Sequence, residues 1–363
     1  MINKEQVIFL SFTTGGGSVS DYFTELSNKL SEVYSVIVIS QGNYVPDKLN
    51  NNINLFFWPS KRPTKFKDFI FLSKLIIKYK PFLIISLFGS VNINMICSFI
   101  FKVKYRVAWI RTLSTQFPQK PHLVLRKRII YKLSNLIISN SKATAQDASK
   151  IYHIKPNKIK VLPNSVKDYI EYYSYVKKNK NKFIYVGRLH KSKGVDILVR
   201  AFKKVLEKNN DIKLYIIGNG PELRNLRNLS KHLDLKENQI IFLGTLKKTR
   251  VLKEMKSSYS TIVPSNSEAF GFTVIEAMSM KTCVIGANNT GIKEIINHNK
   301  TGLLFQTGND EDLAVKINLV IKNNELRNKL ALGGYEHFKS NYCVDVAVNR
   351  DFDFFDKKIR NNS

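Results

Sequence analysis

Short apolar runs alternate with longer amphipathic stretches along this chain, and the alternation runs through two successive series. In the first series, runs at residues 7–12, 36–39, 82–88, 107–110, 136–139 and 159–162 read as strands, with helical patterns over 22–30 and 66–80. In the second, strands at 183–186, 213–217, 240–243, 260–263 and 282–285 alternate with helical patterns such as 195–208 and 222–233. Apolar strands separated by helices predict parallel sheets covered on both faces, so the expected fold class is α/β. Between the series, residues 167–182 are polar, tyrosine-rich and end in a Lys/Asn run, as expected of a linker. The expected domains are therefore 1–166 and 183–343, with 344–363 as a closing helix. At 363 residues each half is large enough to bury its own core. Two such units leave a cleft between them, and open α/β sheets bind ligands beyond the carboxyl ends of their strands.

Charge narrows the partners. The chain has 58 Lys and Arg against 28 Asp and Glu, a net charge of +30. Residues 61–170 hold 22 of the cations against only Asp68, Asp147 and Asp168, a net +19. A coding bias toward Lys, Asn and Ile explains part of the excess but not its concentration in one stretch. Such a surface attracts phosphorylated ligands, anionic lipid or nucleic acid. Cys97, Cys283 and Cys343 are too few and too scattered for a disulfide framework or a metal cluster, which fits a reducing cytoplasm. The first apolar run is too short for a signal peptide. Residues 81–101 are uncharged and long enough to span a bilayer, but Gly89-Ser90 splits them into a strand-like and a helix-like half.

Three motifs stand at strand-to-helix turns. Thr13-Thr14-Gly15-Gly16-Gly17-Ser18 follows the first strand, where backbone N–H groups can approach a phosphate or simply make a tight turn. No acidic residue follows the second strand, as a dinucleotide site would need. Gly187-Arg188-Leu189-His190-Lys191-Ser192-Lys193-Gly194 closes the first strand of the second series; Arg188 and Lys193 there suit a diphosphate, or make a solvated basic loop. In Ser267-Glu268-Ala269-Phe270-Gly271-Phe272-Thr273-Val274-Ile275-Glu276, the turn at Gly271, Phe272 and Thr273 can bind phosphate oxygens. Thr273-x-x-Glu276 also has the form of a capping box, a purely local role for that glutamate, and Glu268 has the alternative of a solvated loop carboxylate.

Taken in order, Gly187-Arg188-Leu189 with Lys193-Gly194, Ile217-Gly218-Asn219-Gly220-Pro221-Glu222-Leu223, Phe242-Leu243-Gly244, Glu268 seven residues before Glu276, Gly291-x-x-Glu294 and Thr301-Gly302-Leu303-Leu304 resemble glycosyltransferase family 4. These are retaining, nucleotide-sugar-dependent enzymes of the GT-B fold, two Rossmann-like domains facing across a cleft. The resemblance is dense over 183–310. It is thinner before 170, where Gly15-Gly16-Gly17 and Pro163-Asn164-Ser165 carry it. It implies that Arg188 and Lys193 hold the donor diphosphate, that Glu268 contacts the transferring sugar and that Glu276 takes the ribose hydroxyls. Glu268, Arg188 and Lys193 are then the catalytic set. Gly187, Phe270, Gly271, Phe272 and Thr273 line the phosphates and sugar, and the base lies near Gly218 and Leu243, Gly244 and Thr245. Gly15, Gly16 and Asn164 complete the substrate-binding set.

The sequence departs from the family pattern in places. Ala269 stands where a glycine is usual, and Lys281-Thr282-Cys283 replaces Gly-x-Pro. After the strand at 107–110, where many members place a histidine, the loop reads Arg111-Thr112-Leu113-Ser114; Arg111 becomes the candidate contact and His122 lies too far along. The expected activity is hexosyl transfer from a nucleotide diphosphate sugar, UDP-linked, to a hydroxyl of a cell-surface glycan, free or lipid-linked, with no metal and no cofactor. Residues 61–80 form a basic amphipathic helix that either packs on the sheet or docks on an anionic membrane surface at the inner face of the cell membrane. A phosphorylase, a sugar-nucleotide epimerase and a non-catalytic polyanion binder are the alternatives. Nucleic acid is not an expected partner, since no recognition helix or RNA-binding motif occurs.

Overall fold

The computed structural model describes residues 6–116 and 119–361. They divide into two units, one made of the residues up to Lys167 together with those from Val344 onward, the other Asp168–Cys343. The first unit runs β1 (Val7–Ser11), α1 (Ser18–Ser31), β2 (Ser35–Ser40), β3 (Asn54–Phe57), α2 (Phe66–Tyr79), β4 (Leu83–Leu87), α3 (Val91–Ile100), β5 (Tyr105–Ile110), α4 (Pro121–Leu133), β6 (Leu136–Ser139), α5 (Lys142–Tyr152) and β7 (Ile159–Val161). Its sheet has the order β3-β2-β1-β4-β5-β6-β7, all parallel. Strand alternation divides the core between two faces. Ile8 and Leu10 of β1 pack with Phe23 and Leu26 of α1, whereas Phe9 packs with Leu72 and Ile76 of α2.

The uncharged stretch 81–101 resolves as expected into β4, buried at all five positions, and α3. Among the described residues no helix is long and apolar enough to cross a membrane. Two elements had no clear signal. β3 is a four-residue edge strand with no fully buried position, so its alternation is too short to read. In α4 only Ile130 and Tyr131 are buried, and its lysines and arginines mask the helical period.

The second unit runs β8 (Asn179–Val186), α6 (Val195–Leu206), β9 (Lys213–Ile217), α7 (Leu223–His232), β10 (Ile240–Gly244), α8 (Lys248–Ser257), β11 (Ser258–Val263), α9 (Phe272–Ser279), β12 (Cys283–Ala287), α10 (Ile292–Ile295), β13 (Leu303–Phe305), α11 (Asp310–Lys322) and α12 (Asn324–Asn341). Its parallel sheet has the order β10-β9-β8-β11-β12-β13. The last helix, α13 (Val344–Arg360), belongs to the first unit, where it packs on α1. There the Tyr22 hydroxyl donates to the buried Asp351 carboxylate, and Tyr34 donates to Asp356 at 2.6 Å.

The stretch 167–182 carries more structure than a linker needs. Asp168 accepts from Tyr335 at 2.9 Å, a single turn spans Glu171–Tyr173, and β8 starts at Asn179, four residues before its apolar run. The early start has a physical cause in Lys182. Its aliphatic stem is buried, and its ammonium pairs with Glu254 of α8 and donates to Ser257 at 2.7 Å. Burial pushes the Glu254 carboxyl up, but Lys182 and Arg250 overcome this and hold it below its ordinary value. A depressed carboxylate stabilises the fold above its unfolded pKa, and the contribution disappears as pH falls through the folded value. Glu254→Gln is expected to destabilise the second unit by about 3 kcal/mol, because it leaves a buried ammonium unpaired. The double change Lys182→Met/Glu254→Met is expected to cost much less. Urea unfolding at neutral pH checks both, and the single-variant deficit is expected to shrink only as pH falls below the ordinary glutamate range toward the lower folded value, where the wild-type carboxylate also takes up a proton.

Candidate active site

In each sheet the first strand sits inside the order, and the chain proceeds outward from it in both directions. The switch point lies between β8 and β11 in the second sheet and between β1 and β4 in the first. Loops after such strand pairs stand side by side at the carboxyl edge, with no crossover between them. Three of the motifs read from the sequence occupy these positions.

After β8, the backbone keeps pairing past the strand end. Gly187 donates to the Ile217 carbonyl at 3.0 Å and Leu189 to that of Asn219 at 3.0 Å, while Gly218 donates to Gly244 at 2.8 Å. The three strand-ending glycines thus bring the β8, β9 and β10 loops together. The contact is tight, since a Cβ on Gly218, whose φ is +134°, would lie 1.8 Å from the Gly187 carbonyl oxygen. Tyr185 donates its hydroxyl to the Arg188 carbonyl at 3.0 Å. Burial, with the nearby Glu268 carboxylate, pushes this phenol well up, so it stays a donor. The Arg188 side chain is exposed. Lys191–Lys193 form one tight turn, which Gly194 ends in the left-handed conformation (φ +60°) before α6 begins.

The β11 loop packs against this turn. A Cβ on Gly194 would meet the Pro264 carbonyl oxygen at 2.2 Å, and Asn266 N–H donates to Ser192 at 2.9 Å. This close approach sets Lys193 Nζ 2.5 Å from Glu268 Oε2, both side chains mostly buried. The loop after β12 holds Glu268 from the other side, where its carbonyl accepts from Thr290 Oγ1 at 2.8 Å and from Gly291 N–H at 3.0 Å.

The capping-box alternative for Glu276 is overturned. Gly271, with φ +119°, takes the N-cap position, so α9 starts one residue before Thr273 and without a side-chain cap. Thr273 lies inside the first turn and donates to the Val186 carbonyl at 3.3 Å. Glu276 is half-buried one turn into α9, and Phe270 is buried beneath the loop. Leu243 and Gly244 end β10, with Thr245 exposed beyond them.

The remaining predicted residues belong to the first unit. Gly15 and Gly16 are exposed in the turn before α1; Gly16 and Gly17, with φ of +93° and +90°, need glycine. Arg111 directly follows β5 and is nine-tenths buried, and burial lowers its guanidinium to about 10. Its guanidinium lies over Phe23 at 5.7 Å and over Phe88 at 5.9 Å. Asn164 is buried with both side-chain polar atoms lacking a hydrogen bond, a cost on the order of 1–3 kcal/mol per group. His122 is exposed at the start of α4.

A cavity of about 610 Å³ opens at the carboxyl ends of β4 and β5, and Arg111 lines it. Lys61, Arg62, Arg126 and Lys127 also line it, and no carboxylate is among its lining residues. None of these four stood out as a candidate in the sequence, because their helix and loop positions carry no motif. The only available signal was the +19 stretch.

Fold and site together define a class: a protein of two parallel α/β units in which glycine-tightened loops bring a lysine and a glutamate together at a switch point of the second sheet. Residues 173–337 match the family described as "Glycosyl transferases group 1". An uncharacterized glycosyltransferase of Methanocaldococcus jannaschii is 28% identical over 238 residues, 62% of this chain and 58% of the relative. The N-acetylgalactosamine-N,N'-diacetylbacillosaminyl-diphospho-undecaprenol 4-alpha-N-acetylgalactosaminyltransferase of Campylobacter jejuni is 27% identical over 207 residues, 55% of this chain and 54% of the relative. The chain thus spans little more than half the length of these curated relatives. The crystal structure of Anabaena HepE in complex with UDP aligns with 97% of this chain and 100% of its own, with a TM-score of 0.78 at 17% identity. The shared fold is GT-B, here with sheets of seven and six parallel strands.

Proposed function

We propose that the chain transfers a hexosyl group from a UDP-linked sugar to a hydroxyl of a growing cell-surface glycan, with retention at the anomeric carbon. The observation that carries this reading is the Lys193–Glu268 pair, 2.5 Å apart on adjoining switch-point loops, with the exposed Arg188 in the same loop as Lys193. A diphosphate entering there meets two cations and the uncapped first turn of α9. In this reading Glu268 takes hydroxyls of the sugar and Glu276 those of the ribose. The bond from the anomeric carbon to the diphosphate oxygen breaks, and the acceptor oxygen bonds to the same face of that carbon. The acceptor proton leaves with the departing phosphate oxygen. Negative charge builds on the diphosphate as it departs, and fixed cations and amides stabilise that charge most in the transition state. The UDP bound by HepE and the diphospho-undecaprenol named for the Campylobacter jejuni relative support a UDP donor and a lipid-linked acceptor. The cation-lined cavity of the first unit suits the phosphates of such an acceptor.

A thermal-shift series with UDP, GDP and ADP tests the donor. UDP at 100 times its Kd is expected to add about 2.7 kcal/mol of apparent stability, and Arg188→Ala to remove most of that gain. No response to any of the three would count against the reading. Slow release of UDP without acceptor, with no phosphorolysis, separates transfer from the phosphorylase alternative.

A further inference from the structure

We infer that the layer formed by α2, α3 and α4 is a membrane-docking face that takes an anionic lipid bilayer as its partner. The inference goes beyond the proposed chemistry and does not depend on it. Each of the three helices buries one side on the first sheet and exposes large apolar side chains on the other. On α2 these are Phe66, Ile70 and Ile77, with Phe66 77% exposed. On α3 they are Phe99 and Ile100, and on α4 Leu125 and Ile129. Phe66, Ile70 and Ile77 are four and seven residues apart, Leu125 and Ile129 four, and on α3 the 38% exposed Ile96 lies three and four residues before Phe99 and Ile100, so each set shares a helix face. α2 packs on α3 and α3 on α4, so the three exposed sets belong to one helical layer. Contiguous exposed apolar surface of this kind marks an interaction site on a folded protein.

Charge identifies the partner. On α2 the exposed lysines Lys67, Lys74 and Lys78 are interleaved with the apolar residues. Between residues 61 and 140 the sequence has 16 lysines and arginines and a single carboxylate, Asp68. Asp68 is fully buried, accepting from Lys65 N–H at 2.9 Å, so it neutralises nothing at the surface. At the C-terminal ends of α2 and α3 a cavity of about 550 Å³ is bordered by Lys80, Lys102 and Lys104, with Phe82 and Phe101 in its wall. Lys104 Nζ stands 5.1 Å over the Phe82 ring. A second copy of this face would meet it with like charge. Nucleic acid would satisfy the lysines and leave the phenylalanine and isoleucine side chains in water. A bilayer of acidic lipids satisfies both, with headgroups meeting the lysines and the acyl boundary taking the apolar residues.

Flotation of the full chain with vesicles tests this without donor or acceptor. Binding is expected to vesicles of phosphatidylcholine mixed with phosphatidylglycerol, to weaken with salt, and to be absent with phosphatidylcholine alone. Lys67→Gln/Lys74→Gln/Lys78→Gln is expected to lower the partition roughly a hundredfold. Phe66→Ser/Ile77→Ser/Ile100→Ser is expected to lower it by at least about tenfold. The exposed second-unit set Lys208→Gln/Lys236→Gln/Lys322→Gln removes the same charge and is expected to leave it unchanged. All these side chains are on the surface, and unaltered thermal unfolding of each variant confirms that. No binding to the acidic vesicles overturns the inference. So does a loss that follows the lysines but not the apolar set, because that pattern is polyanion attraction alone.

Discussion

Alanine at Lys193 is expected to lower kcat/KM for sugar transfer about a hundredfold, and glutamine at Glu268 to have an effect of the same order. This is the size seen when one preorganised contact to developing charge is removed. On the proposed reading neither is a simple binding residue. At 2.5 Å the two side chains hold each other in place before any donor is present, so the ammonium has no reorganisation to undergo when the diphosphate arrives. On the proposed reading the carboxylate, held in turn through its own backbone by Thr290 and Gly291, turns to the sugar hydroxyls. Two consequences distinguish this from a structural ion pair. The loss should fall mainly on kcat, because the interaction strengthens as charge develops. The double change Lys193→Ala/Glu268→Gln should also cost less than the product of the single effects, because each residue positions the other. Steady-state kinetics on the three variants with a saturating acceptor decides the matter. Near-wild-type turnover in both single variants would remove these residues from the catalytic set.

Much of this arrangement could be read from residue order alone, and the reasons for the rest are local. The apolar runs that became β1, β4, β6 and β9 are continuous and bounded by turn residues, so their strands lie close to where periodicity placed them. β3 and α4 escaped because Asn54–Phe57 is a short edge and Pro121–Leu133 hides its two buried residues among cations. β8 began early because Lys182 is buried through a partner, Glu254, that lies 72 residues away and gives no local signal. The same limit applies at the site. Lys193 and Glu268 each had an identifiable type and loop, but their pairing across 75 residues follows only from the adjacency of β8 and β11. The capping-box pattern at Thr273 misled for the opposite reason. A strong local motif yielded to Gly271, whose positive φ lets the chain enter α9 two residues sooner.

Gly218→Ala is expected to cut transfer by about a hundredfold while leaving the second unit folded, although the residue touches no reacting atom. Its φ of +134° is unfavourable for any residue with a Cβ, and that Cβ would stand 1.8 Å from the Gly187 carbonyl oxygen and 2.9 Å from the carbonyl carbon. Both obstacles are backbone, so no side chain can swing aside. The β9 loop must move away from the β8 loop by the order of an ångström, which also strains the bond from Gly218 N–H to Gly244. Arg188 follows Gly187 directly, so the guanidinium is displaced with it, and a misplacement of about 1 Å can cost about a hundredfold in rate. Gly308→Ala is the matched control. Its φ is also positive, at +79°, but nothing lies within 4 Å of the added carbon, and the loop follows β13 at the far edge of the sheet. That variant is expected to lose about 1 kcal/mol of stability from left-handed strain and to keep full activity. If Gly218→Ala turned over as fast as the Gly308 control, the close approach of the β8 and β9 loops would have no part in holding the donor. Thermal unfolding of both variants, run beside the kinetics, separates a displaced loop from a collapsed unit.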